Sequence, residues 1–216
     1  MAIKRVRIVG FAVAGMVLAV SAMATAPAGA QTIVDQWSSV KMPPPVELKA
    51  VKADPKTTGF LVLDLLKSSC TAKDRPSCVA SLPKVAKFLG DARAHNMPVI
   101  YSLTPGKTIK DIDDQVAPKG DEPTVAMSAD KFINTDLEKI LKDRGIKTVI
   151  IVGTTSQGAV LYTASHAAFL GFKVIVPVDG SSAADPFAEL ATAWILANAP
   201  GVSAQTTLTS FDKISW

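Results

Sequence analysis

Residues 145–171, GIKTVIIVGTTSQGAVLYTASHAAFLG, contain the pattern that decides the fold. The apolar run at 147–152 predicts a buried strand, GTTSQG at 153–158 predicts a tight turn, and the small residues that follow predict a helix. In α/β proteins such a strand-to-helix turn is a usual place for a nucleophile or a bound anion. The sequence therefore offers these turn residues as candidates for ligand binding: Thr154, Thr155, Ser156, Gln157 and Gly158.

The same alternation of strands and helices continues on both sides of this stretch. Apolar runs predict further strands at residues 60–66, 98–103, 173–178 and 206–210. Helices are predicted to begin at Ser81, at a Thr135–Glu138 capping box, and at Asp185. Residues 104–129 lack periodicity and predict a long loop. Strands separated by helices predict a single-domain, three-layer α/β/α fold with a mostly parallel sheet over residues 59–216.

The N-terminus has the features of a secretory signal. Lys4, Arg5 and Arg7 precede an uncharged apolar stretch, which ends in Ala-Gly-Ala at 28–30. A signal peptide is expected for residues 1–30, and the alternative is an uncleaved membrane anchor, which Pro27 and the small residues near the cleavage site disfavour. We expect an exported protein, periplasmic or secreted, with no stable membrane anchor after cleavage. Residues 31–58 predict an extended N-terminal segment.

The charge balance of the chain argues against nucleic acids and anionic membranes as partners. The chain has 23 basic and 19 acidic residues, and cleavage after residue 30 would leave 20 basic residues against the same 19. No cluster of Lys and Arg remains in the mature part to bind nucleic acid or an anionic membrane. We expect a small-molecule ligand or substrate as partner and no nucleic acid.

Cys70 and Cys78 are the two cysteines of the chain. Export into an oxidising compartment favours a disulfide between them, and the alternative is a reactive Cys70 thiol near the functional site.

Asp64 interrupts an apolar run at the end of the first predicted core strand. A carboxylate in FLVLDLL is unfavourable to bury unless it is paired or functional. Since chemistry in this fold gathers at the carboxyl ends of strands, Asp64 is either a functional residue or a structural one that binds loop amides.

Several segments resemble the isochorismatase-like cysteine hydrolases. GFLVLDLLKSSC is similar to the family's opening strand, whose Asp is a general base. DKFINTDLEKILKDRGIKTVIIVG and GAVLYTASHAAFLGFKVIVPVDGSSA are similar to two later segments, in the family's order. The resemblance covers about residues 58–184 and implies a Rossmann-like isochorismatase fold. It also implies that the protein self-associates as a homo-oligomer.

The family's triad of Asp, Lys and Cys carries over only in part. Asp64 matches the Asp, whereas the cysteine position falls on Ala159. Counting back from Phe132 places the lysine position at Ala126. Lys131 is nearby but does not have the family's spacing unless the loop shifts. The resemblance therefore implies a divergent member without the catalytic Cys and Lys, unless Lys131 or Lys67 reaches Asp64.

No metal site or cofactor is expected. Zinc-binding relatives carry an Asp-x-His and a further His after the second strand, where this chain has SLTPGKTIKD. The two histidines, His95 and His166, are too few for a site that needs three or four converging ligands.

Two functions are compatible with these residues. One is a hydrolase or lyase that acts on a small polar molecule through Asp64 without thiol catalysis. The other is a non-catalytic family member that serves as a binding or assembly module. Ser156 is a further nucleophile candidate, but GTTSQG is not a G-x-S-x-G elbow and no histidine base accompanies it, which favours a turn-capping or ligand-binding role.

Overall fold

The computed structural model describes residue 29 and residues 31–216. The expected signal peptide therefore lies outside the described residues, apart from Gly29. The chain divides into two compact units at Pro43. In the described part of the first unit, the helix α1 (Ile33–Gln36) is one turn long and has no buried residue. The second unit, Pro44–Trp216, contains the other described elements.

A parallel sheet forms the centre of the second unit. Its strands are β2 (Thr58–Leu63), β3 (Val99–Leu103), β4 (Thr124–Ala126), β5 (Thr148–Thr154), β6 (Lys173–Pro177), β7 (Ser181–Ser182) and β8 (Thr206–Thr209). The main path of the sheet has the order β4-β3-β2-β5-β6-β8, and β7 pairs with β5. Each of these pairings is parallel. A separate parallel pair joins β1 (Val51–Lys52) to β9 (Ile214–Ser215).

Helices cover both faces of this sheet. In β2, Phe60 and Val62 contribute to the core on the side of α2 (Pro76–Ala94). Leu61 and Leu63 point to the opposite core, because successive side chains of a strand alternate between faces. That second core is shared with α3 (Leu137–Asp143), α4 (Leu161–Phe169) and α5 (Pro186–Asn198). The predicted three-layer α/β/α fold is confirmed.

Some predicted boundaries differ from the structure. Helix α2 begins at Pro76 rather than at Ser81, whose hydroxyl donates to the carbonyl of Cys78. The predicted loop at 104–129 contains β4, which pairs with β3 at the edge of the sheet. Such a short strand has no detectable periodicity of its own, and pairing with a formed neighbour stabilises it.

The strand predicted at residues 60–66 begins and ends earlier in the structure. Strand β2 stops at Leu63, and Asp64 has φ 51°. This left-handed backbone conformation turns the chain out of the sheet directly at the carboxylate.

Within the described part of the chain, no helix is long and apolar enough to cross a membrane.

Candidate active site

Asp64 lies at the carboxyl end of the central strand β2 and is only 4% exposed. Its Oδ1 accepts a hydrogen bond of 2.7 Å from Ser102 Oγ, and its backbone N–H donates to the Ser102 carbonyl. Ser102 belongs to the neighbouring strand β3 and was not identified from the sequence. The parallel pairing of β2 with β3 thus positions the carboxylate from two directions.

Lys131 completes the environment of this carboxylate. Its side chain is 0% exposed, and its Nζ lies 2.6 Å from Asp64 Oδ2. The same ammonium donates to the carbonyls of Met127 at 2.5 Å and Ser128 at 3.3 Å. A lysine ammonium has three donors, so all three have acceptors here.

The position of Lys131 corrects the expectation that was based on spacing. A fixed count from Phe132 pointed to Ala126, which is exposed at the end of β4. The turn that follows β4 instead brings Lys131 back to Asp64, and the backbone N–H of Lys131 donates to Thr163 Oγ1 on α4. Lys67 does not reach the site, because its ammonium pairs with Asp114 at 2.6 Å on the surface.

Burial raises the pKa of Asp64 above the ordinary value for an aspartate, because the charged form is poorly solvated there. The charge of Lys131 and the hydrogen bonds from Lys131 and Ser102 act in the opposite direction, and burial dominates. The protonated form of Asp64 therefore persists to higher pH than in an exposed aspartate. A carboxyl group of this kind is suited to proton transfer.

The turn after β5 lies beside Asp64. Residues 156–160 form a single π-helical turn that leads into α4, and the Thr154–Thr155 peptide bond is cis. Thr154 Oγ1 donates to the carbonyl of Ser182 in β7. Gly158 lies close to Thr155, since a Cβ added at Gly158 would be 2.5 Å from Thr155 Oγ1.

A cavity of about 290 Å³ opens at this turn. Asp64, Ala159 and Arg75 line it, together with the following uncharged residues: Leu66, Ser68, Ser69, Thr104, Ser128, Ala129, Thr154, Thr155 and Gly158. Ala159 is 3% exposed and presents a methyl group where the resemblance places sulfur. The volume is at the low end for ligand sites and is suited to a small molecule.

The structure separates the other predicted turn residues from this cavity. Ser156 Oγ lies 2.7 Å from Ser181 Oγ, and both residues line a different, mainly apolar cavity beside α5. Gln157 is exposed on the surface. Neither side chain joins Asp64, so the structure gives no support to Ser156 as its nucleophilic partner.

Cys70 and Cys78 form a disulfide, as the sequence predicted, so neither is a free thiol beside the site. The eight-residue separation encloses Arg75, which is the residue of this loop that lines the cavity. Arg75 was not identified from the sequence, although it is the single arginine between the two cysteines.

The two histidines do not converge. His95 stacks on Trp216 with ring centroids 4.5 Å apart, and His166 Nδ1 lies 2.6 Å from Asp130 Oδ2. Among residues 31–216, no group of three or more His, Cys, Asp or Glu side chains has a geometry that would hold a metal ion.

The profile of the isochorismatase domain matches residues 58–208. The chain belongs to the isochorismatase family. This match spans β2 to β8, and so includes Asp64, Lys131 and Ala159.

Among the relatives of this chain, a secreted isochorismatase effector of Verticillium dahliae is 31% identical over 46% of this chain and 58% of that protein. A nicotinamidase of Acinetobacter baylyi is 38% identical over 38% of this chain and 38% of that protein. The chain thus matches little more than half the length of the first relative and less than half of the second.

Solved structures share the isochorismatase fold at lower identity. A cysteine hydrolase of Pseudomonas syringae pv. phaseolicola has a TM-score of 0.66 and 21% identity, covering 78% of this chain and 95% of that one. N-carbamoylsarcosine amidase of Thermoplasma acidophilum has a TM-score of 0.61 and 20% identity, covering 72% of this chain and 97% of that one. At these identities the likeness concerns the fold alone.

Proposed function

We propose that this protein is an exported hydrolase or lyase of the isochorismatase family that acts on a small polar molecule through Asp64, without a covalent thiol intermediate. The observation that carries this proposal is the buried Asp64–Lys131 pair, whose carboxylate lines a cavity that has the methyl group of Ala159 in its wall. A buried charge pair is rarely favourable for stability alone, which supports a functional role.

The chemistry follows from what each group can offer. Ala159 has no lone pair, so no acyl-enzyme can form there. Each carboxylate oxygen of Asp64 accepts one hydrogen bond from the protein and keeps a further lone pair for substrate or water. Asp64 is therefore the group that gives and takes protons.

A vinyl ether is the substrate type that this arrangement serves without a nucleophilic side chain. Protonated Asp64 donates its proton to the terminal alkene carbon, and water adds to the oxygen-bearing carbon of the resulting cation. One proton of the added water returns to Asp64. The hemiketal C–O bond then breaks as the remaining hydroxyl proton passes to the leaving oxygen, which releases a ketone and an alcohol. Lys131 orients the carboxylate and stabilises its negative charge after the first transfer.

Export is supported by three features. They are the signal-like residues 1–30, the disulfide between Cys70 and Cys78, and the secreted relative in Verticillium dahliae. Together they support action outside the cytoplasm.

A second function is a binding module without turnover. The observation in its favour is Ala159, because loss of the sulfur leaves the cavity and its hydrogen-bonding groups in place. In that case the same cavity would bind a small molecule and release it unchanged.

The test is turnover by the purified protein on a panel of vinyl ethers, esters and amides. Asp64→Asn is preferred to an alanine variant because asparagine tolerates the left-handed backbone of this position. The expected result is a loss of roughly 10²–10⁴-fold in kcat/KM. The control is Asp143→Asn, which removes an exposed carboxylate on α3 and should leave the rate unchanged.

Turnover that survives Asp64→Asn would contradict the catalytic proposal. A folded wild type that binds members of the panel but converts none would favour the binding module. Circular dichroism of both variants separates loss of the side chain from loss of the fold.

A further inference from the structure

Arg75 is the charged residue of the cavity that the proposed chemistry does not use. It directly precedes α2, and it lines the same cavity as Asp64 and Ala159. Its backbone N–H donates to the carbonyl of Thr71 at 2.9 Å, and its carbonyl accepts from the N–H of Cys78 at 3.0 Å. The disulfide and these two hydrogen bonds fix the backbone that carries the guanidinium.

The guanidinium is poorly satisfied by the protein. Arg75 Nε is buried and has no hydrogen-bond partner, and Nη1 reaches only the Ser69 carbonyl at a long 3.4 Å. Among residues 31–216, no carboxylate forms an ion pair with Arg75. Buried donors in native proteins normally have partners, so the unpaired Nε indicates a hydrogen-bond acceptor that is supplied from outside the chain.

The charges around the cavity indicate the sign of that group. Asp64 and Arg75 are its ionisable lining side chains, and Asp64 already has Lys131 as its partner. The remaining lining side chains are uncharged, so no lining group compensates the positive charge of Arg75. A single carboxylate balances that charge and matches the fork of donors that a guanidinium presents.

We propose that Arg75 binds a carboxylate group of the substrate and so makes the cavity selective for small monocarboxylates over their neutral analogues. This inference rests on the proposed function, since it names the substrate class of the same cavity. The anchored carboxylate holds the rest of the molecule against Asp64 and Ala159. Because the disulfide loop is closed before the ligand arrives, little ordering of Arg75 is needed on binding.

The test is a direct binding measurement that needs no turnover. Benzoate and its neutral analogue benzamide are titrated calorimetrically into the wild type, Arg75→Gln, Arg75→Lys and the control Arg144→Gln. Arg144 is an exposed arginine at the end of α3 and does not line the cavity, so its variant removes the same charge elsewhere. Inorganic phosphate is a third probe.

The wild type should bind benzoate at least about tenfold more tightly than benzamide, since a hydrogen-bonded charge contributes about ten- to a hundredfold. Arg75→Gln should bind benzoate more weakly by that factor and should bind benzamide as tightly as the wild type does. The retained affinity for benzamide shows that the cavity is intact. Arg75→Lys should lie between the two, because a lysine keeps the charge without the fork. Arg144→Gln should match the wild type.

Equal benzoate affinity in the wild type and Arg75→Gln would overturn the inference, as would a wild type that binds no benzoate or does not prefer it to benzamide. Tighter binding of phosphate than of benzoate would overturn the choice of carboxylate. The outcome is separate from that of the catalytic proposal: Arg75-dependent binding with no effect of Asp64→Asn on turnover would refute only the role of Asp64.

Discussion

The ammonium of Lys131 lies 2.6 Å from the carboxylate of Asp64, although the two residues are 67 positions apart in the chain. Both side chains are almost completely buried, and each has further hydrogen bonds to the protein. The pair connects the central strand β2 with the turn after β4. It therefore joins the most regular part of the fold to one of its least regular parts.

Removing Lys131 should strongly destabilise the protein. Lys131→Met leaves a buried, unpaired carboxylate, and the expected loss in free energy of unfolding is about 3–5 kcal/mol by chemical denaturation. Lys142→Met, which breaks an exposed pair with Glu138 on α3, should change it by less than about 1 kcal/mol. The double variant Asp64→Asn/Lys131→Met should lose less than Lys131→Met alone, because no buried charge remains. Additive losses in the double variant would argue against a coupled pair.

The raised pKa of Asp64 predicts a specific dependence of stability on pH. The folded protein holds this proton more tightly than the unfolded chain, whose aspartates titrate near about 3.9. The contribution of Asp64 to the free energy of unfolding is thus fully present below that pH and falls as pH rises through the raised pKa.

The measurement is the difference in free energy of unfolding between the wild type and Asp64→Asn across this pH range. The free energy of unfolding of the wild type, relative to that of Asp64→Asn, should decrease as pH increases. Asp143→Asn serves as the control for an exposed carboxylate. A difference that is flat, or that grows with pH, would show that pairing with Lys131 outweighs burial.

A cysteine at position 159 should be reactive in the folded protein. Its sulfur would enter the cavity at the start of the helical segment, and helix N-termini favour the thiolate. The natural cysteines are both in the disulfide, so the introduced thiol is the single free one.

Ala168→Cys is the matched control, because Ala168 is 4% exposed, similar to Ala159, but belongs to α4 and faces the hydrophobic core. Alkylation by iodoacetamide under native conditions should be more than about tenfold faster at position 159. Equally slow alkylation at both positions would mean that the cavity does not admit a small reagent to residue 159.

The disulfide should matter for both stability and binding. Cys70→Ser/Cys78→Ser should lower the free energy of unfolding by about 2–3 kcal/mol, because the short loop becomes free in the unfolded chain. It should also weaken benzoate binding, because Arg75 lies inside that loop. Reductant should reproduce both effects in the wild type and have no effect on the double variant. A reductant effect that persists in the double variant would point to another target.

The regular elements were predictable because their patterns are local. The apolar runs around residues 60, 99, 149 and 174 each specify a buried strand, and Asp185 caps α5 by accepting from the N–H of Phe187, as its position before Pro186 suggested. Strand β4 was not predictable, since three residues gain their pairing only from β3. The same limit explains Ser102, which within its own apolar strand carries no sign of the carboxylate next to it.

The sequence by itself determined the α/β/α fold, the family, the carboxylate at Asp64 and the alanine at the cysteine position, because each depends on local pattern or residue identity. Only the tertiary structure decided that Lys131 reaches Asp64, that Ser156 does not, and that Arg75 lines the cavity. These are contacts between segments far apart in the chain, and their geometry depends on how loops of particular length fold over the ends of the strands. Loop geometry is not encoded in spacing, so a fixed count of residues missed the lysine that the folded chain supplies.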